Sequence, residues 1–148
     1  MKGNSFQAYN KETMAIAIGR DLPISTKNAT EVCKRVRGKS IERAKKILQD
    51  AIEMKLAIPM TRFNIDRGHK KIVGPGRYLP KTCMEILRII KLAEANAHQK
   101  NLDSLVLRHI NAHKAATPHH YGRHRGRKMK RSHIEVVVEK VEKKEKSK

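Results

Sequence analysis

Seven cations and no acid occupy residues 114–131: Lys114, Arg123, Arg125, Arg127, Lys128, Lys130 and Arg131. His119, His120, His124 and Tyr121 are threaded among them, with the turn formers Pro118, Gly122 and Gly126, and His113 stands just ahead. The chemistry such a set can do is the gripping of a polyanion. The arginine fork matches two phosphate oxygens at once and stacks on bases. Glycine removes Cβ and permits positive φ, so backbone can come close to a phosphate. Histidine adds hydrogen bonding and gains charge beside an anion. A second basic stretch, residues 61–81, carries Arg62, Arg67, His69, Lys70, Lys71, Arg77 and Lys81 against a lone Asp66. Arg20, Lys27, Lys34, Arg37 and Lys39 lie upstream of both and join them as candidate phosphate ligands.

Other chemistries fit these residues poorly. His109/His113 and His120/His124 share an i,i+4 spacing that converges on one metal ion only in a helix. On a strand it separates the rings by about 12 Å or more, and no cysteine or carboxylate stands near to complete a shell. No metal and no cofactor are expected. Cys33 and Cys83 fall on the apolar stripes of helices and read as buried small hydrophobes. Asp66 with His69 could form an acid–base pair, but neither a second carboxylate nor an activated nucleophile accompanies them. No catalytic residue is assigned, and the chain is not read as an enzyme.

The totals repeat the message. Lys plus Arg is 34 against 14 for Asp plus Glu, a formal charge of +20 on 148 residues, so the folded chain repels itself unless a partner supplies counter-charge. The apolar runs are cut by Arg88 and Lys91 and fall short of the roughly 20 residues that span a bilayer, which argues against a membrane. The first seven residues are polar and lack the apolar core of a signal peptide, and two cysteines make no disulfide framework, so a reducing cytosol is expected. Aromatics are 3% with no Trp, too few for a base-stacking sheet, which favours shape-driven phosphate binding.

The elements that must position these cations are legible in the periodicity. Met14, Ile16 and Ile18 alternate with Ala15, Ala17 and Gly19, a short strand. After Pro23, Ser25 offers an N-cap, and Ala29, Val32, Cys33 and Val36 form a helical stripe stopped at Gly38. Ser40 caps the next helix, with Ile41, Ala44, Ile47, Leu48, Ala51 and Ile52 on its apolar side. Residues 61–81, rich in Gly and Pro, read as a long irregular surface loop. Pro80 opens a third helix with its stripe at Cys83, Ile86, Leu87, Ile90, Ala93 and Ala97, ending at Asn101 and Asp103. Strands at 105–112 and 134–138 flank the basic segment and make it the tip of a hairpin, with Ile134, Val136 and Val138 on one face. The fold class is therefore α+β: three helices on a small antiparallel sheet, with a long protruding hairpin. Residues 1–12 read as an N-terminal extension, 13–139 as one domain whose basic tip spans about 113–133, and 140–148 as a charged flexible tail.

Nine short stretches, in order along nearly the whole chain, resemble one family: GRDLPIS at 19–25, EVCKRVRGKS at 31–40, AIPMTRFN at 57–64, GH at 68–69, GPGRY at 74–78, AEANA at 93–97, HINAHK at 109–114, RHRGR at 123–127 and SHIEVVVEK at 132–140. They are similar to the universal large-subunit ribosomal protein 22 in its archaeal and eukaryotic form (eukaryotic large-subunit protein 17). The compact loop before GPGRY and the short C-terminal extension favour the archaeal type. The resemblance implies a structural constituent of the cytoplasmic ribosome's large subunit. Its body would lie near the polypeptide exit, and its hairpin would pass through large-subunit rRNA to line the nascent-chain tunnel and assist assembly. The implied partners are rRNA, neighbouring large-subunit proteins and the passing nascent polypeptide; no membrane and no homo-oligomer are expected.

Two departures from the family pattern stand out. Leu79 intervenes between Tyr78 and Pro80, where relatives place Tyr directly before Pro, so the path into the third helix should differ by a residue. The hairpin tip is shorter and richer in His, and Arg125 replaces a small or apolar residue.

Overall fold

The computed structural model describes residues 5–141. Its main sheet has three antiparallel strands in the order β1 (Met14–Leu22), β6 (Ser132–Lys140), β5 (Leu105–Lys114). Helices α1 (Thr26–Val36), α2 (Ile41–Ile52) and α3 (Pro80–His98) supply the apolar cover. All members of the α1 and α3 stripes are buried, as are Ile41, Ala44, Leu48 and Ala51 of α2. This is the expected α+β fold. Among the described residues, no helix is long and apolar enough to cross a membrane.

Local details differ from expectation where packing overrides the strand or cap rule. In β1 the small residues Ala15, Ala17 and Gly19 face the core, while Ile18 is 41% exposed. The reason is α3, which lies so close to β1 that a Cβ on Gly19 would sit 2.7 Å from Ile89 Cδ1. Large side chains have no room on that face. Ser25 and Ser40 occupy N-cap positions, yet neither makes a side-chain cap bond. Ser40 instead bridges to Val106, beside the reciprocal pair Gly38 N–H to Leu107 O (2.9 Å) and Leu107 N–H to Lys39 O (2.9 Å). The α1–α2 turn thus covers the edge of β5 that would otherwise be unpaired. Gly38 takes φ +73°, the left-handed stop its position suggests. Helix α3 ends at His98, before Asn101, where the Ala97 carbonyl accepts from both Lys100 N–H (3.0 Å) and Leu102 N–H (3.1 Å).

β5 and β6 run further than the apolar alternation indicates, because pairing continues to Lys114 opposite Ser132. β6 is buried on both faces from Ile134 to Val138. The second face is covered by the N-terminal segment: Phe6 stacks on His109 with centroids 5.0 Å apart, and Ser5 donates its N–H and hydroxyl to the buried Glu135 carboxylate. Burial lowers the pKa of His109, whose Nε2 has no hydrogen-bond partner among the described residues. Lys100 Nζ fastens the same segment through the carbonyls of Lys11 and Met14, both at 2.9 Å.

Residues 61–81 are not wholly irregular, which corrects the loop reading. β2 (Ile58–Pro59), β4 (Gly74–Arg77) and β3 (His69–Lys70) form a second small antiparallel sheet in that order. Its strands are two to four residues long and built around Gly74, Pro75 and Gly76, so no period-two pattern marks them. Leu79, the residue interposed before Pro80, takes the N-cap position of α3 and buries its side chain in the core. Of the charged flexible tail expected at 140–148, the first two residues are tied to the body: Lys140 is in β6 and Val141 N–H donates to Ser104 O at 3.1 Å. Residues 142–148 lie outside the described part.

Candidate nucleic-acid interface

The hairpin base is fixed from within the body. Ser132, fully buried where β6 emerges from the tip, donates its hydroxyl to Ile24 O (3.0 Å) and lies 2.8 Å from Thr26 Oγ1. This ties the hairpin to the first residue of α1. Cross-strand bonds then continue outward: Ala115 N–H to Arg131 O (3.2 Å), Met129 N–H to Pro118 O (2.8 Å) and His120 N–H to Arg127 O (2.8 Å). A single 3-10 turn at Gly122–His124 closes the tip, and His119 Nδ1 lies 2.8 Å from Arg125 O. Gly122 uses the left-handed region at φ +65°; Gly126 does not, so only the first of the two glycines is needed for its conformation.

The second basic element is fixed by a carboxylate. Glu31, on the buried side of α1, accepts from Phe63 N–H (2.7 Å), Arg62 N–H (2.8 Å), Thr61 N–H (3.1 Å) and Thr61 Oγ1 (3.0 Å). Burial alone would raise its pKa. The three backbone donors and the hydroxyl together outweigh that and hold the carboxyl below its usual range. One side chain thereby orders the start of the 61–81 segment against α1. Phe63 carries cations on its ring, with Arg62 at 5.2 Å and Lys27 at 5.8 Å.

Together these anchors bring distant cations to one groove of about 470 Å³, with Lys27 of α1, Arg67 and Arg77 of the second element, and Lys114, Lys130 and Arg131 of the hairpin base around it. Ser25 and Thr26 also line it, so the first turn of α1 opens there with no side-chain cap and no acidic residue. A helix N-terminus in that condition favours an anion. Asn64, Asn28 and Thr117 add neutral polar groups that the sequence reading missed, since single amides and hydroxyls carry no pattern.

The remaining expected ligands divide by position. His119, His120, Tyr121, Arg123, His124, Arg125, Arg127 and Lys128 are on the hairpin tip, where every residue from 118 to 128 is exposed and Tyr121 is 88% so. His69, Lys70, Lys71 and Lys81 are exposed around the second sheet and the start of α3, with Lys70 Nζ 5.7 Å from the Tyr78 ring. Lys34, Arg37 and Lys39 line a smaller groove, but two of them make internal bonds: Lys34 Nζ to Thr61 Oγ1 (2.8 Å) and Arg37 Nη2 to Ile110 O (2.7 Å). Arg20 is exposed on β1, outside the groove. His113 is not turned to the groove at all; its Nε2 lies 3.7 Å from Glu135 on the opposite sheet face. Cys33 and Cys83 are buried, and burial pushes both thiols up to about 12, so neither is a nucleophile. Among the described residues no group of three His, Cys, Asp or Glu could hold a metal ion.

A family model described as "Ribosomal protein L22p/L17e" matches residues 17–139. The chain is 35% identical over 145 residues to large ribosomal subunit protein uL22 of Archaeoglobus fulgidus, covering 91% of this chain and 94% of that protein. It is 34% identical to the uL22 of Staphylothermus marinus, with 93% and 96% covered, and 36% identical to that of Methanopyrus kandleri, with 90% and 91% covered. A small α+β body with cations gathered on a groove and a projecting hairpin is thus the build of a structural ribosomal protein, not an enzyme. The chain belongs to the ribosomal protein L22p/L17e family, and its relatives are of archaeal type.

Proposed function

We propose that this chain, as a constituent of the large subunit of the cytoplasmic ribosome, clamps large-subunit rRNA between its hairpin and its body. Phosphates seat in the groove between α1, the second sheet and the hairpin base. The tip runs on through rRNA and lines the nascent-chain tunnel, with the body near the polypeptide exit beside neighbouring large-subunit proteins. The observation that carries this reading is the acid-free tip, exposed from residue 118 to residue 128 and continuous with a six-cation groove at its base. A polyanion lying along both neutralises the charge that the folded chain cannot neutralise itself.

Sucrose-gradient fractionation tests the reading. The chain should stay with the large subunit through a high-salt wash, whereas a variant with Arg123, Arg125 and Arg127 changed to Glu should be released or fail to enter particles. Release of the wild-type chain at modest salt would mark a loose nucleic-acid binder and overturn the proposal.

A further inference from the structure

At the end of the body away from the hairpin, one groove reverses the sign of the molecule. It encloses about 530 Å³ between the start of α2, the end of α3 and the start of β5, and among the described residues no Lys or Arg lines it. Its rim carries Glu42, Glu94 and Asp103, and its apolar part includes Leu105, Val106 and Val141. Glu94 is held by Lys45 at 2.5 Å, but Glu42 and Asp103 form no ion pair among the described residues. Val141 is 44% exposed there, and Leu105 and Val106 are only partly covered.

We infer that this groove docks a basic, apolar-bearing extension of a neighbouring protein in the large subunit. Phosphate would be repelled by these carboxylates, unpaired among the described residues, so rRNA is the wrong partner for this one face. Lysines over Glu42 and Asp103, with an aliphatic side chain against Leu105 and Val106, complete both the charge and the apolar surface. The groove by itself offers one small patch of contact. It suits a segment whose parent protein is already fixed in the same particle, where effective concentration replaces affinity. The inference uses the chain's place in the large subunit and does not depend on the path of the hairpin.

Carbodiimide treatment of purified large subunits tests it, because the reagent joins a carboxylate only to an amine in direct contact. Glu42 or Asp103 should appear amide-linked to a lysine of a different protein, in a segment that also carries apolar residues. In subunits bearing Glu42→Gln with Asp103→Asn, retention of that partner through a salt wash should fall about tenfold, the equivalent of roughly 1.4 kcal/mol. Retention of this chain itself should be unchanged, which separates failure here from failure of the rRNA reading. Both substituted residues are exposed, so folding should survive, and circular dichroism checks it. Links only to this chain's own lysines beyond residue 141, links to a second copy, or no protein link at all would each overturn the inference. So would ultraviolet cross-linking of Leu105 or Val106 to a nucleotide.

Discussion

The Glu31 carboxylate accepts the Phe63 amide N–H at 2.7 Å, joining the middle of α1 to a segment thirty-two residues away. Three further donors from Thr61 and Arg62 converge on the same group. Glu31→Gln replaces one acceptor oxygen with a donor facing other donors. It should destabilise the fold by roughly 1.5–3 kcal/mol, read from the urea midpoint.

The same residue gives a pH dependence. Its folded pKa lies below the unfolded value of about 4.3. Its contribution is therefore complete above that value and disappears as pH falls through the lower folded pKa. The stability gap between wild type and Glu31→Gln should be constant near neutrality and narrow on acidification below about pH 4.3. A gap that is the same at every pH would show that the carboxylate charge plays no part.

Gly19 faces Ile89 with no space between, a Cβ there meeting Cδ1 at 2.7 Å and Cγ1 at 2.9 Å. Gly19→Val should force α3 outward and cost about 1–3 kcal/mol in thermal or denaturant melts. Gly68→Ala, at a glycine with open space around its Cβ position, should by contrast leave stability nearly unchanged.

Ser132 Oγ lies 2.8 Å from Thr26 Oγ1 and donates to Ile24 O with no exposure to water. Ser132→Ala leaves the Ile24 carbonyl without that donor and should cost about 1–3 kcal/mol. Hydrogen exchange at Ala115 should quicken, since its N–H bonds to Arg131 next to the lost anchor.

The tip beyond Thr117 has cross-strand bonds but almost nothing buried, and ordering it costs roughly 1–2 kcal/mol per residue of backbone entropy. NMR order parameters of the isolated chain should therefore drop across 118–128 relative to β5 and β6. Deleting residues 118–130 should leave the body folded while impairing subunit assembly.

Much of this architecture could be read directly from residue order. The stripes at Ala29–Val32–Cys33–Val36 and at Cys83–Ile86–Leu87–Ile90 are buried as their spacing requires, because each helix presents a single face to one core. The second sheet was not legible, since strands of two to four residues around Gly74 and Pro75 carry no alternation. Glu31 escaped notice for a different reason. Its partners are backbone N–H groups, which leave no side-chain signature, and the one hint was a solitary acid in an otherwise basic helix. In β1 the alternation marked a strand but not its inner face, because closeness to α3 selected the small residues for that face. Clustering of Lys27, Arg67, Arg77 and Lys114 could not be foreseen either; it depends on how three elements meet, whereas the hairpin tip is a contiguous run.

A cryo-EM reconstruction of the large subunit containing this chain bears most directly on the rRNA clamp. It should show the side chains of Arg123, Arg125 and Arg127 within hydrogen-bonding distance of ribose-phosphate oxygens, and phosphates seated beside Lys27, Arg77 and Lys130. Density in which the tip folds back on α1–α3, or stands in solvent with no nucleotide within reach, would contradict the account.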